Sequence, residues 1–253
     1  MQLTADASVH LMRVEEVLRM DAAFSAELLR LVNSPLLGAR REITSTLQAA
    51  AVLGFERIKA LTTTLGLRMF LRGKPSDALQ VCWRRNLAVA VVSERLSGYV
   101  DMNSDTCYTA GLLHDVGRLA LLWAAPHQSA EIIAKCDPGD PHGLDREKAA
   151  FGLDHCEAGE LILRQWDFPA QLREVALLHH RKPQPGTRGL LSVVHTAMRV
   201  ADVLGFQLGA GVANLAEVAD VLPAPTWRMI LADFDRISDD AILKLNALEC
   251  SLQ

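Results

Sequence analysis

Apolar side chains recur every three or four residues along most of this chain. Leu28, Leu29 and Val32 show the spacing early, and the stretch from Ile58 to Leu71 continues it. This spacing puts the apolar side chains on one face of an α-helix. A half-buried strand would instead alternate apolar and polar residues, and no convincing stretch does so. The sequence therefore predicts an all-α fold without a sheet.

Helix-breaking residues divide this pattern. We expect helices over about 79–96, 106–124 and 190–204. Asp154, with Glu157 three residues later, has the pattern of a capping box at a helix start. The breaks are Asn33-Ser34-Pro35, Gly38, Gly54, Gly73-Lys74-Pro75, the loop 137–143, and the prolines 183 and 185 that end a helix at His179-His180.

Three segments follow from these breaks. Residues 1–75 form an N-terminal helical part, residues 76–208 a helical core, and residues 209–253 a C-terminal extension. Pro223 and Pro225 divide that extension into two or three short helices. The break at 73–76 is short, so it suits either a domain boundary or a loop within one domain.

Composition excludes several classes of protein. A net charge of −4 gives no general electrostatic reason to bind nucleic acid. Five scattered cysteines without a CxxC motif suit free thiols in a reducing compartment. The N-terminus lacks the pattern of a signal peptide, and the longest apolar stretches carry charges or histidines. We therefore expect a cytoplasmic protein that does not enter a membrane.

His114 and Asp115 are adjacent polar residues inside the apolar run 110–122. A buried carboxylate needs a cation, a metal or strong hydrogen-bond donors, because burying it alone is costly. Imidazole and carboxylate together suit a divalent transition metal. A His–Asp pair, or an ion pair of Asp115 with Arg118 at i,i+3, would also satisfy the charge. Spacing alone favours these pairings over the metal.

Other segments add residues of the metal-ligand type. His155 lies at a predicted helix start, and His179-His180 at a helix end, where the helix dipole also favours histidine. Asp202 lies on a mostly apolar helix and shares a face with His195, although it also suits a surface or capping role.

The stretch 110–117, with His114-Asp115, resembles the signature of the HD phosphohydrolase superfamily. The order of His114-Asp115, His155, His179-His180 and Asp202 is similar to the ligand order of the HD-GYP branch, which hydrolyses cyclic di-GMP. The closer resemblance, over about residues 10–206, is to the HDOD domain. It is carried by 28–35, Ile43 to Gly54, Trp83 with 87–90, 152–159 with Trp166 and Pro169, and His179-His180.

This resemblance implies an all-α, multi-helix bundle of the HD-superfamily type with an N-terminal helical subdomain. It also implies a role in bacterial signal transduction, usually without established catalysis. The metal ligands that it implies are His114, Asp115, His155, His179, His180 and Asp202, and the metal would be Fe, Mn, Zn or Ni.

Departures from the pattern put catalysis in doubt. Arg85 occupies the position where active HD enzymes have a metal-binding histidine, and arginine cannot ligate a metal. Its guanidinium suits a forked contact with Asp115 or Asp202 instead. Arg118 replaces the usual lysine after HD-x-G and is expected to line the pocket. The Gly-Tyr-Pro motif after His-His is absent, since residues 181–186 read Arg-Lys-Pro-Gln-Pro-Gly.

Three functional hypotheses follow. The first is a non-catalytic signalling module that binds a protein partner or a small ligand such as a nucleotide. The second is a residual metal-dependent phosphohydrolase or cyclic-dinucleotide phosphodiesterase. The third, a DNA-binding regulator, is disfavoured by the acidic balance and the lack of a basic recognition helix. Other residues are expected to be structural: Trp83, Trp123 and Trp166 as core anchors, and Cys107 and Cys156 as buried thiols.

Overall fold

The computed structural model describes residues 22–33, 43–71, 76–135, 142–208 and 213–252. Every regular element in these ranges is helical and none is a strand, which confirms the predicted all-α fold. The chain divides into two units. One comprises residues 1–73 with 243–253, and the other comprises residues 74–242.

Among its described residues, the first unit has three complete helices that pack on one another, and the C-terminal end of the chain's last helix also falls in this unit. The three complete helices are α1 (Ala22–Val32), α2 (Thr46–Leu53) and α3 (Phe55–Leu71). Gly54 separates α2 from α3 as predicted, with φ near +88°, a conformation that glycine adopts without a Cβ penalty. The Asn33 side chain accepts a hydrogen bond from Ile43 N at 2.8 Å and donates to Ile43 O at 2.7 Å. Ser34, Pro35, Gly38 and residues 73–75 lie outside the described ranges.

The second unit carries the remaining helices, with the last helix continuing to Leu252. They are α4 (Asp77–Val100), α5 (Ser104–Leu113), α6 (Val116–Ala124), α7 (Pro126–Ala134), α8 (Gly143–Phe151), α9 (His155–Gln165), α10 (Ala170–Leu178), α11 (Leu190–Ala201), α12 (Ala224–Ala232) and α13 (Phe234–Leu252). A π-helical turn follows α11 at Asp202–Phe206, and a 3-10 turn lies at Leu215–Val218.

Helix α4 lies in the centre of this unit. Ser76 caps it by accepting a hydrogen bond from Leu79 N. Its residues 85–93 are all buried, and the helix packs against α5 and α11. The predicted helix over 79–96 is therefore present and a few residues longer at each end.

The single helix predicted over 106–124 is wrong, because the chain breaks at His114 and Asp115. Asp115 leaves helical geometry, with φ −116° and ψ 30°, and α6 begins after it. No glycine or proline marks the break in the sequence. Local side-chain contacts accompany it: His114 Nδ1 lies 2.7 Å from Gly111 O, and Arg118 binds the Asp115 carboxylate.

Other predicted boundaries have mixed outcomes. The capping box of Asp154 and Glu157 is confirmed at the start of α9. The helix predicted over 190–204 ends at Ala201 and gives way to the π-helical turn. In the C-terminal extension α13 has 19 residues, so the expectation of only short helices was wrong there.

The residues predicted to be structural also have mixed outcomes. Trp83 is buried, as are Cys107 and Cys156, whereas Trp166 is 49% exposed and is therefore no core anchor. Trp166 follows the last residue of α9, outside the packed part of that helix. No described helix combines the length and the apolar content that spanning a bilayer would require.

Candidate functional site

Seven elements of the second unit bring a polar cluster together inside an apolar core. Its members come from α4, the α5–α6 break, α6, α8, the start of α9, the end of α10 and the π-helical turn after α11. They are Arg85, His114, Asp115, Arg118, Glu147, His155, His179, His180 and Asp202. All are buried except Arg118, which is partly exposed, and His180, which is exposed and marks the solvent side.

Arg85 occupies the part of the cluster between Asp202 and His114. Its Nε and Nη2 donate to the same Asp202 oxygen, Oδ1, at 3.1 and 3.0 Å. Its Nη1 lies 3.3 Å from His114 Nε2. Arg199 Nη1 lies 3.4 Å from the other Asp202 oxygen. The sequence predicted Asp115 or Asp202 as the acidic partner of Arg85, and in the structure this partner is Asp202.

Arg118 bridges two buried carboxylates on the other side of the cluster. Its Nε donates to Asp115 Oδ2 at 2.8 Å and its Nη1 to Glu147 Oε1 at 3.1 Å. Its Nη2 lies 2.9 Å from His155 Nε2. The i,i+3 ion pair considered for Asp115 is thus present, but it satisfies only one of the two carboxylate oxygens.

Three histidine rings lie against one another beside Asp115. His155 Nε2 is 2.9 Å from His180 Nε2 and 3.6 Å from Asp115 Oδ1. The ring centroids of His179 and His180 are 4.5 Å apart. The ring of His114 meets that of His179 edge-on at 5.2 Å. The chain thus joins the histidines of α9 and α10 to the His-Asp pair of the α5–α6 break.

Two buried atoms in this cluster have no hydrogen-bond partner, namely Asp115 Oδ1 and His179 Nε2. A buried polar atom without a partner is costly, and native proteins rarely keep one without a reason. His179 Nδ1 lies 2.9 Å from Ala176 O, so Nε2 is the nitrogen left for another partner. Both unpaired atoms are of the kind that ligates divalent metals.

The electrostatics of the cluster follow from burial and two guanidinium groups. Burial by itself would raise the pKa of Asp115, but the charge of Arg118 opposes it and holds that pKa well below its usual range. Burial lowers the pKa of His114 to about 4 against the opposing charge of Asp115. Burial also lowers the pKa of His179, helped by the neighbouring His180. These imidazoles are therefore neutral near pH 7, the form that ligates metal.

His155, Cys156, His179 and His180 have ligand atoms within 4.8 Å of one another, so this cluster could hold a metal ion. Cys156 fits that role less well than the histidines. Its Sγ lies 4.0 Å from His179 Nδ1, the nitrogen already engaged with Ala176 O. Burial raises the pKa of its thiol. Asp115 Oδ1, unpaired and 3.6 Å from His155 Nε2, is the better complement to the three rings.

The part of the cluster next to Asp202 fits a metal poorly. Arg85 places a permanent positive charge within 3.3 Å of His114 Nε2 and on the Asp202 oxygen that a metal would need. The residues present therefore suit a metal ion beside His155, His179 and His180 and oppose one between His114 and Asp202.

Sequence reasoning missed Glu147 and assigned His195 no contact with the site. Glu147 is 4% exposed, yet it stands between Arg146 and Lys148 and so has the local pattern of a surface residue. Its only sequence signal is its position eight residues before His155. His195 lies on α11, before the π-helical turn of Asp202, and its Nδ1 is 3.0 Å from the His179 carbonyl oxygen, so it supports the backbone beneath that ring.

Comparison with solved structures shows the same fold in other proteins. An HDOD domain protein of unknown function from Geobacter sulfurreducens matches with a TM-score of 0.66 at 21% identity, covering 91% of this chain and 85% of that one. A suggested phosphohydrolase from Shewanella amazonensis SB2B matches with a TM-score of 0.65 at 21% identity, over 93% and 87%. The MmoQ response regulator of Methylococcus capsulatus str. Bath matches with a TM-score of 0.50 at 24% identity, over 94% and 90%.

Among curated proteins, an uncharacterized protein of Treponema pallidum (strain Nichols) is 25% identical over 181 residues. The match covers 69% of this chain and 34% of that protein, so the chain spans about a third of its length.

An all-helical fold with a His-Asp pair at a helix break, ringed by further histidines, defines a domain of the HD type. The sequence profile of the HDOD domain matches residues 1–182, most of the chain. The chain therefore belongs to the HDOD domain family. Asp202, which holds Arg85, lies beyond the matched residues.

Proposed function

We propose that this chain is a regulatory HDOD module of bacterial signal transduction that works by binding rather than by catalysis. The observation that carries the proposal is the guanidinium of Arg85 between His114 and Asp202. In a catalytic HD site that space would belong to a metal ion. Here it holds a side chain that cannot ligate metal and does not lose its charge.

The balance of buried charges supports this proposal. Asp202 is paired with Arg85, while Asp115 and Glu147 are both paired with Arg118. The carboxylates thus have cations without any metal, which removes much of the electrostatic drive to bind two ions. A pocket neutralised in this way persists as a binding or structural feature even where the chemistry is lost.

A second candidate, a residual metal-dependent phosphohydrolase, is favoured by the unpaired Asp115 Oδ1 and His179 Nε2. We propose that Asp115, His155, His179 and His180 would hold one divalent ion there, with Fe, Mn, Zn or Ni as the candidates. When bound, such an ion polarises phosphoryl oxygens and lowers the pKa of bound water. His114 and Asp202 stay with Arg85 in this arrangement and contribute no ligand.

The proposed partners are a signalling protein or a small ligand such as a nucleotide that reaches the cluster from the side of His180. DNA is a poor candidate, because the net charge of −4 repels a polyanion. We place the role in the cytoplasm. Free, buried Cys82, Cys107 and Cys156 suit a reducing compartment.

The substitution Arg85→His tests this account of the site. It removes the cation and restores an imidazole, so we expect metal content per chain to rise above that of the wild type. The measurement is elemental analysis after equal exposure to iron, manganese, zinc and nickel. Arg84→His is the matched control, since Arg84 is exposed on the same helix and lies over the ring of Phe206. Equal metal content in wild type and Arg85→His would show that Arg85 does not exclude an ion.

A further inference from the structure

Glu147 contacts the site through three hydrogen bonds, although nothing in its sequence context points to a role there. Its Oε2 accepts from the His155 backbone N at 2.8 Å and lies 2.6 Å from His155 Nδ1. Its Oε1 accepts from Arg118 Nη1 at 3.1 Å. The side chain is 5% exposed, so these bonds form away from bulk water. One carboxylate thus joins α8 to both a ring and a guanidinium of the cluster.

The contact with His155 decides which ring nitrogen carries the proton. A carboxylate can only accept, so at 2.6 Å Nδ1 must be the protonated nitrogen. The Arg118 guanidinium donates to the other oxygen of the same carboxylate at 3.1 Å, so both oxygens of Glu147 act as acceptors.

The opposite nitrogen of the ring faces the rest of the cluster. His155 Nε2 lies 2.9 Å from His180 Nε2 and 3.6 Å from Asp115 Oδ1. Arg118 Nη2 lies 2.9 Å from Nε2 and 3.1 Å from Nδ1, so it contacts both ring nitrogens and does not decide which of them is protonated.

We propose that Glu147 is a positioning residue that holds a proton on His155 Nδ1 and fixes the orientation of the ring. Nε2 is thereby directed toward Asp115 Oδ1 and His180, where a divalent cation or another electron-pair acceptor would bind. A carboxylate behind a ligating histidine fixes the tautomer and the ring orientation in the same way in metal sites. This inference deepens the proposed function by assigning the group that prepares one side of the same site.

The test is the protonation state of the His155 ring in metal-free protein. Two-bond ¹H–¹⁵N correlation spectra of ¹⁵N-histidine-labelled protein near pH 7 distinguish the tautomers, and His155→Gln assigns the signal. We expect a protonated Nδ1 in the wild type. In Glu147→Ala the Nδ1–H partner is gone, and we expect the Nε2–H tautomer to gain population.

Glu157→Gln is the matched control, because Glu157 lies on the first turn of the same helix and bonds to Asp154 N without touching the ring. We expect its His155 signals to match the wild type. If Glu147→Ala does not fold, Glu147→Met keeps the volume without an acceptor and carries the same expectation.

A wild-type ring protonated on Nε2 alone would overturn the proposal. An unchanged Nδ1–H tautomer in the folded Glu147 variant would also overturn it. The readout uses neither metal nor turnover, so its result does not depend on whether the chain is catalytic. The failure of this proposal and the failure of the proposed function can therefore be distinguished.

Discussion

At the residue scale, buried charge is the part of the site that sequence reasoning predicted best. An aspartate inside an apolar run must have a partner, and Asp115 has Arg118 at 2.8 Å. The sequence did not predict which residues far along the chain become the partners of these charged groups. Arg85 suited either of two aspartates, and only the fold decides for Asp202, 117 residues away. Glu147 was missed because its charged neighbours are those of a surface residue.

Arg118→Met tests how much of the cluster depends on one guanidinium. The substitution leaves Asp115 and Glu147 buried without a cation, so we expect the free energy of unfolding to fall by about 3 kcal/mol. Urea unfolding followed by circular dichroism measures the change. Arg164→Met is the control, since its contact with Glu160 is 3.9 Å long and its side chain is 57% exposed. We expect that control to change stability by less than about 1 kcal/mol. An equal loss of unfolding free energy in the two variants would contradict the claim that Arg118 stabilises the cluster.

At the scale of elements, periodicity predicted most of the helices but could not place the break between α5 and α6. Residues on both sides of His114-Asp115 are apolar, so a helical pattern continues through a point where the backbone turns. The helical pattern of the sequence also did not predict the close crossing of α6 and α9. It depends on Gly117, where the absence of a side chain lets the backbone of α6 touch that of α9 at His155 and Gly159.

Gly117→Ala tests that crossing. A Cβ at Gly117 would overlap the His155 carbonyl oxygen and lie 2.5 Å from Gly159 N, both backbone atoms that cannot rotate away. We expect α9 to shift, moving His155 from Asp115, and stability to fall by roughly 3 kcal/mol. Thermal and urea unfolding measure the loss.

Gly98→Ala is the matched control for that variant, because Gly98 is exposed on α4 and a Cβ there meets no atom within 4 Å. Alanine is the better helix former, so we expect this variant to be unchanged or more stable by up to about 1 kcal/mol. A Gly117 variant as stable as the Gly98 variant would show that the helices do not need their close approach.

At the scale of the whole molecule, the order of several motifs carried more information than any one of them. Asn33, Trp83, His114-Asp115, His155 and His179-His180 together predicted the family, whereas His-Asp alone occurs in active enzymes as well. Composition only argued against certain functions: a net charge of −4, for example, disfavours nucleic-acid binding. Whether the polar cluster still performs chemistry depends on the contacts of Arg85, which the sequence pattern does not contain.

The central claim is that the site binds without turning over a phosphodiester. Its most direct test is hydrolysis of bis-p-nitrophenyl phosphate and cyclic di-GMP by the purified wild-type chain, with iron, manganese, zinc or nickel supplied in turn. We predict product release no faster than in buffer with the same metal. Sustained turnover that is lost in Asp115→Asn would contradict the account, because it would mean that the ligands left beside Arg85 are sufficient for catalysis.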